Sequence, residues 1–260
     1  MGKILIIPDV HGRTFWKKAY DYINDVDEII FLGDYLDPYD FEGISEQQSI
    51  DNFKEILEFK QLCSKVTLLL GNHDLHYFPP LTERWGCRRI NSQLKELSEL
   101  YLKHINDFKV VRVIDNYLFS HAGILLEWYE VITDKRPYSG TTFYSNIRSN
   151  HKLNIDFSEE GFNSLIHDEF GLLALNMISG ERGGRDPFGS CMWADVHEHL
   201  YMFNPSNYYQ MFAHYLYYPS LNDYYHDKHF AMLDCKKCFI LNTETNEINE
   251  ISKKFIKNLS

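Results

Sequence analysis

Five short stretches of this sequence place aspartate, asparagine or histidine directly behind an apolar run. They are Asp9-Val10-His11, Gly33-Asp34-Tyr35-Leu36-Asp37, Gly71-Asn72-His73-Asp74, Ser120-His121-Ala122-Gly123 and Phe212-Ala213-His214. Their side chains offer carboxylate oxygens, an amide oxygen and imidazole nitrogens, the donors that divalent and transition cations take. One cation needs about four to six donors, so no single stretch suffices, but the five together could fill two adjacent cation sites. Paired cations polarise a substrate oxygen and lower the pKa of bound water, which is hydrolytic chemistry.

Asp9 and His11 lie two residues apart, so an extended backbone points both side chains the same way and lets them chelate one cation. Asp34 is the natural bridging ligand, since a carboxylate can share its oxygens between cations roughly 3.5–4 Å apart. Asn72 supplies a neutral amide oxygen, and His121 and His214 complete the second set. His73 sits beside a ligand without being needed as one, where it could protonate a leaving oxygen with Asp37 fixing its tautomer. Asp195-Val196-His197 repeats the first spacing but follows no buried strand, and reads as a solvated loop. His76, His104 and His199 also lack a strand-end place and read as surface or hydrogen-bonded structural residues.

The elements that must position these groups are legible as short apolar runs: Ile4 to Ile7, Ile29 to Leu32, Val66 to Leu70, Tyr117 to Phe119 and Tyr208 to Phe212. These runs predict buried strands. From Ser45 to Cys63 the apolar residues Ile50, Phe53, Ile56, Leu57 and Phe59 fall close to helical spacing, and Ser45 with Gln48 forms a capping box. Strand, motif, helix and strand in alternation predict βαβ units and a largely parallel sheet, whose ligands gather at the carboxyl ends of its strands. The middle of the chain, Leu125 to Trp193, reads as helices joined by loops that overhang that rim. Cys235-x-x-Cys238 lies between two strand-like runs and reads as the turn of a terminal hairpin.

With 260 residues, 44% hydrophobic and 24% charged, and no compositional break, the sequence fits one folded domain spanning residues 1–260. A net charge of -11 argues against an extended grip on nucleic acid, which needs surface lysine and arginine. The same charge repels anionic substrates unless cations and arginines reverse the field locally. The apolar run after Lys3 is too short for an export signal, and no run is long enough to span a membrane. Five scattered cysteines give no disulfide framework, and a cytoplasmic location is expected.

In their order and spacing the five motifs resemble the calcineurin-like metallophosphoesterase superfamily, with the phosphoprotein phosphatase and dinucleoside tetraphosphatase branch most similar. His214 is followed by Tyr215 and Leu216, where many other branches continue Gly-His-x-His. The resemblance implies an α/β fold, a four-layer α/β/β/α sandwich with two central mixed sheets. It also implies a dinuclear metal-dependent phosphatase, similar to serine/threonine phosphoprotein phosphatases, in which a metal-bridging hydroxide attacks the phosphorus of a phosphomonoester. Manganese, iron or zinc would serve as the two metals. Residue by residue, it implies Asp9 and His11 on the first metal, Asp34 as bridge, and Asn72, His121 and His214 on the second. His73 would be the proton donor, supported by Asp37.

One departure bears on substrate. Members of the phosphatase branch carry an arginine directly after the last aspartate of the second motif, and here Pro38 stands there. Arg182 and Arg185, in a glycine-flanked segment between the two late histidines, are the candidates to hold phosphate, with Arg13 a further one. The tyrosines Tyr215, Tyr217, Tyr218, Tyr224 and Tyr225 could stack on a nucleobase or pack within strands. The implied partner is therefore a phosphorylated small molecule, a nucleotide or a phosphoprotein. Dinucleoside polyphosphate hydrolysis or phosphodiester cleavage is the alternative, and a non-catalytic metal-binding scaffold the weaker one.

Overall fold

The apolar runs fold as their patterning predicts. In a computed structural model that describes residues 2–83, 87–135, 153–201, 208–214 and 225–251, β1 spans Lys3–Ile7, β2 Glu28–Phe31 and β3 Val66–Leu69. Helix α1, Glu46–Leu62, begins at Ser45, whose side chain accepts from the Gln48 N–H while the Gln48 side chain accepts from the Ser45 N–H. β1 to β3 run parallel and are extended by β4, Phe108–Lys109, also parallel, with α2, Asn72–Leu75, and α3, Leu94–Lys103, between β3 and β4. The other edge is antiparallel: β10, Phe239–Asn242, pairs with β1, and β11, Glu247–Glu250, with β10.

A second sheet has β6, Tyr117–Phe119, and β7, Tyr209–Phe212, parallel at its centre. β5, Arg112–Ile114, flanks β6 antiparallel, while β9, Phe230–Met232, runs parallel to β7 and antiparallel to the short β8, Tyr225–His226. Both sheets are thus mixed. Alternation along each strand gives each sheet two apolar faces. Ile4, Ile6, Ile30, Leu32 and Leu69 of the first sheet pack between the sheets on Phe119, Met211 and Ala231 of the second. Leu5, Ile7, Ile29, Phe31 and Leu68 point the other way, onto Ile50, Phe53 and Ile56 of α1.

The outer face of the second sheet is covered as well. Leu118 shares a core with Trp128 of α4, Leu126–Ile132, and with Leu172 and Ala174 of α6, Glu169–Leu175, while α5 spans Glu159–Ser164 between them. Phe212 and Met232 pack on Val196 at the start of α7, Val196–Tyr201. The layers are helix, sheet, sheet and helix. No helix among the described residues is long and apolar enough to cross a membrane.

One expectation fails. Cys235 and Cys238 do not turn a hairpin, because β9 belongs to the second sheet and β10 to the first, so the segment between them crosses from sheet to sheet. Strand-like runs on either side of a short loop look alike whether or not the strands pair, and the real terminal hairpin is β10 with β11. Four of the five clustered tyrosines, Tyr215, Tyr217, Tyr218 and Tyr224, lie outside the described residues.

Candidate metal centre

Asp9, Asp34, Asn72, His121 and His214 stand two or three residues beyond the carboxyl ends of β1, β2, β3, β6 and β7, the rim where parallel strands collect ligands. Their backbones are laced together: the His11 N–H donates to the Asp34 carbonyl at 2.7 Å, Gly12 N–H to Tyr35 at 2.9 Å, and Ala213 N–H to His121 at 2.8 Å. His11, Asp34, Asp37 and His214 all have positive φ, 46°, 54°, 60° and 66°. Such left-handed backbone costs energy in a residue with a Cβ, and the surrounding hydrogen bonds hold it in place.

Two glycines let the second and third motifs cross in contact. Gly33 has φ 108°, and a methyl group there would meet the Gly71 nitrogen at 2.4 Å. One on Gly71 would meet Asp34 Oδ1 at 2.2 Å. The crossing is pinned by Asp74, whose carboxylate accepts from the N–H groups of Gly71 (2.7 Å), Asp34 (2.8 Å) and Tyr35 (3.1 Å) and from the Tyr101 hydroxyl (2.5 Å). Asp34 Oδ1 is then taken by the His73 N–H at 2.9 Å, leaving Oδ2 to face the rim.

Around that oxygen the imidazole tautomers are set by main-chain carbonyls. His11 Nδ1 donates to the Leu36 carbonyl at 3.0 Å and His121 Nδ1 to the Leu32 carbonyl at 2.8 Å. Both Nε2 atoms therefore carry lone pairs, yet they face Asp34 Oδ2 at 3.4 and 3.6 Å, and His121 Nε2 lies 2.9 Å from Asn72 Oδ1. Acceptors facing acceptors are repulsive unless a cation sits among them. His214 adds Nδ1 at 3.0 Å from His121 Nε2, and its buried Nε2 has no hydrogen-bond partner among the described residues. Donor atoms converge in two groups that share Asp34: His11, Asp34 and His73 in one, Asp34, His121 and His214 in the other. Asp9 lies against the second, accepting the His214 N–H at 3.4 Å, 3.6 Å from His121 Nδ1.

The charge states suit metal. Burial, above all, keeps His11 neutral, pushed down to about 3, and it lowers His121 and His214 too. Burial opposes ionisation of Asp34, but His121, His73 and His11 together hold it below the usual carboxylate range. Asp9 is raised well above that range by burial, then by Asp234 and Asp34. Asp234 is pushed up to about 7, again by burial first, with Arg13 opposing. A crowd of buried carboxylates beside neutral imidazoles is a site short of positive charge.

His73 Nδ1 is 3.0 Å from Asp37 Oδ2 and 3.1 Å from the Arg88 carbonyl, both acceptors, so this nitrogen carries a proton and Nε2 is left for the rim. Asp37 is itself fixed by the Tyr77 hydroxyl at 2.6 Å and the Ile90 N–H at 3.0 Å. Burial works against a charged His73, but the Cys87 sulfur, Asp34 and the Asp37 hydrogen bond raise it well above the usual histidine range.

Of the candidate arginines, Arg182 has Nη1 3.6 Å from Asp195 Oδ2, and behind burial its positive charge adds to the lowering of His214 and His121. Its loop is clamped by Glu198, which accepts from Ser179 Oγ and from the Gly189 and Asp195 N–H groups. Arg185 is exposed, and among the described residues no hydrogen bond or ion pair joins it to the centre. Arg13 is committed elsewhere, with Nε on Glu42 at 2.8 Å and Nη1 on the Asp9 carbonyl at 3.3 Å.

Asp195 and His197 are not a solvated loop. Asp195 is buried, and its Oδ1 accepts the His197 N–H and Nδ1–H at the start of α7. Asp234 was the residue to find. It stands two positions past the end of β9, parallel to β7, so its strand-end place was the same signal that marked the others.

A family model for calcineurin-like phosphoesterases matches residues 2–173. Comparison of the sequence with curated proteins gives no match. Among solved structures, a point mutant of a cold-active protein tyrosine phosphatase is similar at TM-score 0.53 and 13% identity, over 97% of this chain and 81% of that one. The cold-active protein-tyrosine phosphatase of a psychrophile, Shewanella sp., aligns at TM-score 0.50 and 15% identity with the same coverage.

Proposed function

Because this chain belongs to the calcineurin-like phosphoesterase family, whose members are metal-dependent phosphoric ester hydrolases, we propose that it is a phosphatase acting on phosphomonoesters. The family normally binds two metals. The observation that carries the reading is Asp34 Oδ2 standing 3.4 Å from His11 Nε2 and 3.6 Å from His121 Nε2, a bridging position between two donor groups. His11 and Asp34 would hold one ion, and Asp34, Asn72, His121 and His214 the other, with Asp9 lying against that second group. When bound, such ions polarise the phosphoryl oxygens and make hydroxide available near neutral pH.

The chain's own groups do the rest. Asp37 and the Arg88 carbonyl keep the Nδ1 proton of His73 in place, so the imidazole presents Nε2 as the donor to the leaving alkoxide. Arg182, anchored by Asp195, brings positive charge to the phosphate end of the rim. Trp193 lies edge-on to the His214 ring at 5.9 Å and to the His76 ring at 6.3 Å, apolar surface packed beside a candidate ligand. Contributions running from Asp9 to Asp234 support one catalytic domain.

Asp34→Asn tests this reading, since it removes the shared charge while keeping the shape. Hydrolysis of an aryl phosphate by manganese-loaded protein should fall at least about a hundredfold, with weaker metal binding. Equal turnover by wild type and variant would sink the mechanism. A panel of phosphopeptide, aryl phosphate and dinucleoside polyphosphate then ranks the leaving groups, and a preference for the last would overturn the monoester assignment.

A further inference from the structure

A phosphate dianion entering this rim needs fixed guanidinium donors, and the arginines there differ in how many donors they have left. Arg13 spends Nε on Glu42 and Nη1 on the Asp9 carbonyl. Arg88 has one protein hydrogen bond among the described residues, from Nη2 to the Asp37 carbonyl at 3.1 Å, so its Nε and Nη1 are unspent.

Arg88 is nevertheless held in place. Its guanidinium carbon lies 4.2 Å from the centroid of the Tyr39 ring, a cation–π stack that orients the planar fork. Tyr39 in turn stands at the centre, its ring 5.0 Å from that of His11. The Arg88 carbonyl receives the Nδ1 proton of His73, so the same residue touches the proton donor through its main chain. Position 38, the next residue after Asp37, is proline and offers no donor. The fork of Arg88 reaches the peptide that joins Asp37 to Pro38 from 51 positions beyond Asp37 along the chain.

We infer that Arg88, braced on Tyr39 and the Asp37 carbonyl, is the guanidinium that grips the non-bridging oxygens of a terminal phosphate dianion at this rim. The inference rests on the phosphatase reading and names a part of the site for it. It favours monoesters, because a terminal phosphate dianion offers the fork three non-bridging oxygens and two charges, where a diester offers two oxygens and one charge.

The test uses full-length manganese-loaded protein with Arg88→Ala and Arg88→Met, the second keeping apolar contact with Tyr39. Binding of inorganic phosphate is measured by calorimetry, KM and kcat on an aryl phosphate by steady-state kinetics, and metal content and thermal unfolding in parallel. The phosphate dissociation constant and KM should each rise roughly ten- to a hundredfold, the loss of a charge-assisted hydrogen-bond pair, with metal content and unfolding unchanged. Unchanged phosphate binding in both variants overturns the proposal. So does weakened binding that tracks loss of metal in both, since Arg88 would then only support the centre. The two readings fail separately: wild-type protein that binds phosphate through Arg88 but hydrolyses no ester refutes the phosphatase reading alone.

Discussion

Replacing Gly71 with alanine tests whether the approach of the second and third motifs builds the centre. The backbone there has φ -110°, which alanine adopts freely, so the substitution adds no backbone strain. What it adds is a methyl group 2.2 Å from Asp34 Oδ1 and 2.7 Å from the Asp34 nitrogen. Ordinary contact is about 3.5–4 Å, so one of the two motifs must move by more than 1 Å or so. Overpacking of this kind costs about 1–3 kcal/mol. Separating the motifs also stretches the three buried hydrogen bonds that cross them, Asp34 N–H and Tyr35 N–H to Asp74 and His73 N–H to Asp34, each contributing about 1 kcal/mol. The sum is about 4–6 kcal/mol, or roughly 8–24 °C in unfolding midpoint for a protein of this size. Metal affinity should fall roughly ten- to a hundredfold, as when a ligand loses its supporting contacts. Gly180→Ala is the control, because among the described residues nothing lies within 4 Å of a methyl group there. Thermal unfolding and manganese titration compare the two. If Gly71→Ala matches Gly180→Ala in both, the crossing is not what positions Asp34.

The remaining predictions concern pH. Asp74 and Asp234 are both pushed up to about 7, chiefly by burial, above the ordinary unfolded value near 3.9. A raised carboxyl stabilises the fold below its unfolded pKa, and that contribution is lost as pH rises toward the folded one, so metal-free protein should weaken between about pH 4 and 7. Bound cations offset the accumulating charge, so the gap in unfolding midpoint between metal-loaded and metal-free protein should widen from about pH 5 to 7.5, with protons released on metal binding; a constant gap refutes this. Away from the rim, burial opposes the charge of half-buried Glu159, but Lys109, the Val113 N–H and Arg112 hold it below its usual range. Glu159→Gln should therefore cost about 1 kcal/mol at neutral pH, after allowance for solvent screening. Chemical denaturation should show that difference vanish as pH falls below about 4, because a depressed carboxylate stabilises above its unfolded pKa and not below it.

How much of this was legible in the sequence follows from how local each signal is. A buried strand that ends on Asp9 or Asn72 announces itself in a few residues, and the capping box of α1 does so in four, so strands, helix and motifs were all in view. Pairing is not local. Whether β9 and β10 form a hairpin depends on which sheet each joins, and the loop through Cys235 and Cys238 carries no mark of it. Asp195-Val196-His197 shows the same limit from the other side, since Asp-x-His spacing also serves to start a helix. The substrate end of the rim is the least local part. Asp37 and Arg88 meet through one hydrogen bond across 51 positions, and an exposed arginine near Cys87 has no pattern of its own until Tyr39 is placed beneath it. Metal ligands recur in fixed order because strand ends are fixed by the sheet, whereas a guanidinium on a long side chain can reach phosphate from any loop that overlooks the rim. A missing arginine at one position is therefore weak evidence of a missing function, and the three-dimensional neighbours of Pro38 are the place to look for what replaced it.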